Sequence, residues 1–185
     1  MSRLRIAADT DDRMQDGARS ARTKASIRAG LLSAALLVPM SVVAVESADD
    51  VRLPVGYRNW FHVNSMLVDK TSPQFEVLGG MHSTYVNPTG EAALKKGGPY
   101  PNRTILVDDV HDFTVAEGSY TEGPSKVVGV MTKDKKRYAA TGGWGFQAFA
   151  GGDRTKPLVT DATKQCFECH QSRKDQDYVF STYIP

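Results

Sequence analysis

Cysteine is scarce in this sequence, two residues in 185. Two thiols cannot build the multi-bridge framework that holds small secreted domains together. Without a second Cys-x-x-Cys pair, they cannot alone complete a four-ligand zinc site. Charge of one sign is lacking too. Residues 49–185 hold 16 of the 23 basic and 16 of the 21 acidic side chains. This neutral portion has no electrostatic footprint for nucleic acid and no polybasic patch for anionic lipid. No apolar run reaches the roughly 20 residues of a membrane helix. No internal repeat or low-complexity segment stands out.

The longest apolar run is Ala29–Val45, AGLLSAALLVPMSVVAV, interrupted by Pro39. Arg22, Lys24 and Arg28 precede it, and small residues follow at Val42–Ala44 and Ser47–Ala48. A basic flank, a short apolar core and a small-residue exit predict a leader and signal peptide over residues 1–48, hence export to the periplasm. An uncleaved anchor is the competing reading. Residues 49–185 are enough for one domain.

Within that domain the pattern predicts an α+β fold, mainly an antiparallel sheet with a few short helices. Tyr57 to Val68 reads as a short helix running into a strand. His82 to Asn87 is a β-rich run stopped by Pro88. Thr89 to Lys96 reads as a helix closed by Gly97-Gly98 and Pro99. Four β-like stretches follow: Arg103 to Val107, Phe113 to Tyr120, Val127 to Lys133 and Trp144 to Phe149. The acidic run Asp108–Asp112 between the first two reads as an exposed loop, and Glu122-Gly123-Pro124 as a turn. Thr160 to Thr163 can cap a last helix. The tail Asp177 to Tyr183 is β-like in composition.

The two cysteines stand three apart, in Cys166-Phe167-Glu168-Cys169-His170. Cys-x-x-Cys-His is the attachment pattern of a c-type haem. One helical turn separates the thiols, so both can reach the vinyl groups on one porphyrin edge and add across them as thioethers. The next histidine then falls under the ring, where its imidazole can ligate iron. A thioredoxin-like redox pair also uses Cys-x-x-Cys, but expects a βαβ context. A zinc site would need His62, His82 or His111 as further ligands, and no spacing suggests it.

Further pieces accompany the motif. They are Leu53-Pro54-x-Gly56-Tyr57-Arg58-x-Trp60, His82-x-x-Tyr85-Val86-Asn87-Pro88 and Lys95-Lys96 before Pro101–Thr104. Later come Val128-Gly129-Val130-Met131-x-Lys133-Asp134, Gly142-Gly143-Trp144-Gly145-Phe146 and Asp177-Tyr178-Val179-Phe180. In this order and spacing the chain resembles the cytochrome P460 family, whose relatives include the β-sheet type of cytochrome c′. The resemblance covers nearly all of residues 52–185. It implies an antiparallel sheet, often in a homodimer, with one haem c near the C-terminus.

It further implies five-coordinate iron, with His170 as axial ligand and an open side for hydroxylamine or nitric oxide. Family enzymes oxidise hydroxylamine, passing electrons to a soluble cytochrome, while some relatives only bind gas. In the P460 enzymes a lysine forms an extra link to the porphyrin. Lys95 and Lys96 match that region, with two solvated lysines at a helix end as the alternative. Where some members offer a glutamate as base, this chain has Gln147, which cannot accept a proton at neutral pH. Gln147 is therefore either a hydrogen-bonding residue in the distal pocket or a solvent-facing strand residue.

Other ligands are conceivable. Met66, Met81 or Met131 could fill the sixth position of an electron carrier, although packing explains Met131 equally well. His82 or His111 could make a bis-histidine site. Trp144, Phe146 and Phe149 could line a haem pocket or simply a buried sheet face.

Overall fold

The computed structural model describes residues 48–185. The leader call, residues 1–48, therefore lies outside the described residues except for Ala48. Five strands, β1 (Phe61–Val68), β2 (Gly80–Val86), β3 (Ile105–Ala116), β4 (Ser119–Lys133) and β5 (Trp144–Ala150), form one sheet. They lie in sequence order, each antiparallel to its neighbours. Helices are few and short: α1 (Phe75–Leu78), α2 (Pro88–Lys96) and the cysteine-bearing segment near the C-terminus. The expected α+β class holds.

Helix α2 starts and stops where its sequence says. Asn87 Oδ1 caps it, accepting from Gly90 N–H at 3.2 Å, and Pro88 opens it with a φ already suited to a helix. Gly97, at φ 77°, closes it in the left-handed conformation. The cap also anchors. Asn87 Nδ2 donates to the Arg103 carbonyl at 2.8 Å, and its Oδ1 accepts from Ile105 N–H at 3.0 Å. Helix α2 is thereby tied to the start of β3, which fixes where Lys95 and Lys96 emerge.

The sheet has two buried faces, because alternate side chains of each strand point to opposite sides. On one face Val63, Val86, Leu106, Trp144 and Phe146 pack with Leu94 of α2, Phe167 and Val179; Cys166, Met131 and Phe61 border this core. On the other, Val107, Val128, Val130 and Phe149 pack with Val51, Leu53 and Tyr138, bordered by Tyr57 and Trp60. The cysteines therefore belong to the first face.

Three expectations needed correction. The acidic run 108–112 is not a loop: β3 runs through it, and Asp109 and His111 are buried. Asp109 is held by Tyr57 Oη at 2.9 Å and Arg58 Nε at 2.8 Å, partners 50 residues away that composition alone cannot reveal. Likewise Glu122-Gly123-Pro124 lies within β4. The β3–β4 pairing shifts register between His111 and Phe113, and this irregularity accommodates a proline that has no N–H for the ladder. The real reversal is Glu117-Gly118, both at positive φ (51° and 77°), as a tight hairpin turn requires. Lastly, Asp177–Tyr183 forms no strand; it crosses the first sheet face, where Tyr178, Val179 and Tyr183 join the core.

His82 gives a stability switch in this frame. Its Nε2 lies 2.7 Å from the Leu78 carbonyl and its Nδ1 2.8 Å from Asp108 Oδ2. Both neighbours only accept, so the ring carries both protons. Burial alone would lower its pKa, but the Asp108 carboxylate and the Leu78 carbonyl outweigh it, and the value stands above the ordinary 6.5. A raised folded-state pKa means stability that is complete below about pH 6.5 and lost as pH rises through the folded value. The stability difference between wild type and His82→Gln, from urea melts, is expected to be larger at pH 5.5 than at pH 9. An equal difference at both would refute the charged pairing.

Candidate functional site

The Cys-x-x-Cys-His run sits on a helical segment that begins as Asp161 Oδ1 accepts from Lys164 N–H at 3.1 Å. Thr163–Phe167 forms a single π turn, continuing into the α turn α3 (Glu168–His170). Wide π turns inside helices concentrate at functional sites. Phe167 points into the first core, its ring 6.4 Å from Phe146 and 5.3 Å from Tyr178. That contact seats the segment on β5. Cys166 is half-buried at the core's edge, and Cys169 is exposed.

Neither thiol is in a disulfide. Burial, helped by neighbouring Cys169, pushes the Cys166 thiol up to about 11. A redox dithiol needs the opposite, a lowered pKa that supplies thiolate at neutral pH. Among the described residues no three His, Cys, Asp or Glu side chains gather into a metal-binding group, so these thiols lack the further ligands of a zinc site.

His170 is held from three sides. Its ring lies 5.0 Å from Phe146 and 5.0 Å from Phe180. Its Nδ1 lies 2.7 Å from the Tyr178 carbonyl oxygen. A carbonyl only accepts, so Nδ1 carries the proton and Nε2 keeps a free lone pair. Burial lowers the His170 pKa, against a smaller opposing effect of that carbonyl, which keeps the ring neutral. A neutral imidazole with one N–H given to a backbone carbonyl is the state in which histidine ligates metals.

The family model of cytochrome P460 matches residues 54–181. The chain belongs to the cytochrome P460 family. Membership implies a haem cofactor, and the cytochrome P460 match includes both cysteines and His170. A comparison with curated proteins returned no match. The residues fit a haem: two free thiols one turn apart, a neutral imidazole with an available Nε2, and an aromatic surface from Phe146, Phe167 and Phe180.

The remaining candidates separate. Lys95 Nζ pairs with Glu91 at 2.6 Å and lies 4.8 Å from the Phe61 ring and 5.8 Å from that of Tyr183, which both border the first core. It also lines a cleft of about 230 Å³ with Leu94, Tyr100 and Tyr183. Lys96 is exposed. Gln147 corrects both expectations. It pairs with Val130 across β4–β5, on the second face, away from Phe146 and the cysteines. It is not solvent-facing either, being buried at 3% exposure.

Its side chain is fully engaged as a bridge. Nε2 donates to the Ala48 and Val159 carbonyls, both at 3.2 Å. Oε1 accepts from Ala148 N–H at 2.9 Å and Val159 N–H at 2.8 Å. The histidines proposed as sixth ligands are engaged elsewhere too: His82 as above, and His111 with Gly123, Asp109 and Arg58. Met66 is exposed, while Met131 borders the first core. Trp144 and Phe146 lie on the first face, which Cys166 borders; Phe149 lies on the other.

Sequence reasoning named Tyr178 and Phe180 only as family residues and missed their roles, a backbone carbonyl on His170 Nδ1 and a ring against the imidazole. It also missed the Lys133–Asp177 pair beneath them, joined at 2.6 Å. Lys133 and Asp177 do appear among the family residues, but nothing in their spacing marks them as partners.

Proposed function

We propose that this protein is a periplasmic mono-haem c-type cytochrome that takes up small nitrogen species, hydroxylamine or nitric oxide, at iron. Cys166 and Cys169 hold the porphyrin through thioethers, and His170 ligates the metal through Nε2. The haem supplies the redox chemistry. The chain fixes the imidazole and packs aromatic rings against it; bound iron held by that one side chain would have room to take the nitrogen species. Electrons leave to a soluble cytochrome.

One observation carries this reading: the Tyr178 carbonyl accepts a hydrogen bond from His170 Nδ1–H and leaves Nε2 available beside two free thiols. If a lysine cross-links the porphyrin, the position of Lys95 beside core-edge rings favours it over Lys96. A second reading is a cytochrome c′-like gas binder without turnover: Gln147, the residue that stands in place of a base in the sequence pattern, is held in structural hydrogen bonds on the face away from the cysteines, which leaves no base identified.

The test is holoprotein from a host that matures c-type cytochromes. A high-spin, five-coordinate ferrous spectrum that changes with nitric oxide supports an open site. Reduction of an acceptor that depends on hydroxylamine selects the enzyme, and its absence selects the gas binder. A six-coordinate, low-spin ferrous spectrum indifferent to nitric oxide would sink both.

A further inference from the structure

The segment that presents the Tyr178 carbonyl is not a relaxed one. Asp177 and Tyr178 are consecutive non-glycine residues at φ 53° and 68°, both in the left-handed region. L side chains disfavour that conformation, so the surroundings must hold it. The hydrogen bonds on these two residues show how.

Asp177 Oδ1 accepts from Lys133 Nζ at 2.6 Å, and Oδ2 accepts from Tyr100 N–H at 2.8 Å. The Asp177 carbonyl accepts from Trp144 Nε1 at 2.7 Å. Tyr178 N–H donates to the Arg173 carbonyl at 2.7 Å. The Tyr178 ring lies over Gly142, where any Cβ would collide with it. Lys133 Nζ donates also to the Gly142 carbonyl at 3.1 Å and sits 4.7 Å from the Trp144 ring. Lys133 is buried at 2% exposure, an ammonium at the end of β4. A buried ion pair is an expensive way to obtain stability, because two charges lose their water. Its better-supported use is to hold one arrangement against others.

We propose that the Lys133–Asp177 pair is a positioning device for the axial histidine: it locks the Asp177-Tyr178 backbone so that the Tyr178 carbonyl aims at His170 Nδ1. The inference rests on the haem reading above. The chain of contact runs from Lys133 of β4 and Trp144 of β5, through Asp177, to the Tyr178 carbonyl, and ends on the imidazole. A firm hydrogen bond from Nδ1–H makes the imidazole a stronger donor to iron. Stronger donation favours the ferric state and lowers the reduction potential. Lys133 and Asp177 touch neither iron nor ligand; they act through Tyr178.

The test compares wild type, Asp177→Ala, Asp177→Asn and Trp144→Phe as holoproteins. Reduction potential and the ferrous iron–imidazole stretching frequency are read beside haem content and urea stability. Asp177→Ala is expected to raise the potential by about tenfold in the one-electron equilibrium, about 59 mV, and to lower the stretching frequency. Asp177→Asn keeps one oxygen, enough for either Lys133 or Tyr100 N–H but not for both, and tolerates the left-handed backbone, so it should restore part of both readouts. Trp144→Phe removes the donor to the Asp177 carbonyl, with part of the ring beside Lys133, but leaves the Lys133–Asp177 pair, and should move both readouts the same way by less.

If Asp177→Ala fails to accumulate, Trp144→Phe and Asp177→Asn decide alone. Variants that lose stability while potential and stretching frequency stay at wild-type values would overturn the inference and leave a merely structural pair. A wild-type protein without haem would overturn the proposed function, and this inference with it.

Discussion

Replacing both thiols, Cys166→Ala with Cys169→Ala, is expected to abolish covalent haem attachment completely. The argument is local. The two sulfurs are free, one helical turn apart, on a segment seated by Phe167 against Phe146 and Tyr178. Thioether formation consumes one thiol per vinyl group, so with neither present nothing survives denaturation. His170 would remain, still bonded to the Tyr178 carbonyl, and could hold iron only reversibly. The measurement is haem staining after denaturing electrophoresis, with the intact mass. Wild type should stain and carry the mass of one haem; the double variant should do neither. Each single variant keeps one sulfur and should stain more weakly. A double variant that stains like wild type would rule out thioether attachment at these cysteines.

The second large effect is expected at Gln147→Leu, as a loss of stability with no change at the iron. Leucine fills a similar volume but removes four hydrogen bonds. Val159 is buried, and its N–H and carbonyl both lose their partner. An orphaned buried backbone group costs about 1–3 kcal/mol, so two of them bring the loss to about 2–6 kcal/mol. Urea unfolding measures it. Since Gln147 sits on the sheet face opposite the cysteines, nitric oxide affinity and the ferrous spectrum should match wild type. A variant of unchanged stability but altered ligand binding would restore Gln147 to the distal pocket.

These outcomes bear on what could be read early. The strands β1, β2 and β5 and helix α2 were legible because their signals are local: alternation of apolar residues, an Asn-Pro start and a Gly-Gly stop. Residues 108–112 and 122–124 misled for a common reason. Asp109 looks like surface until Tyr57 and Arg58 arrive from the N-terminal segment, and Pro124 looks like a turn until a register shift excuses its missing donor. Gln147 misled because strand parity, not residue type, decides which face a side chain meets. The tail resembled a strand in composition, yet its backbone is bent by two left-handed residues that only distant partners hold in place.

The sequence by itself determined the class of fold and the spacing of two thiols and an imidazole from which thioether attachment is proposed. Cys-x-x-Cys-His is a covalent spacing, and alternation with short turns is a backbone property; both are written within a few residues. Only the tertiary structure decided which nitrogen of His170 is free, which lysine stands at the core's edge and which face Gln147 occupies. Each of those depends on groups brought together from far along the chain: a carbonyl eight residues on, a ring from β1, an amide twelve residues beyond β5's glutamine. Hydrogen-bond geometry and burial exist only once those segments meet.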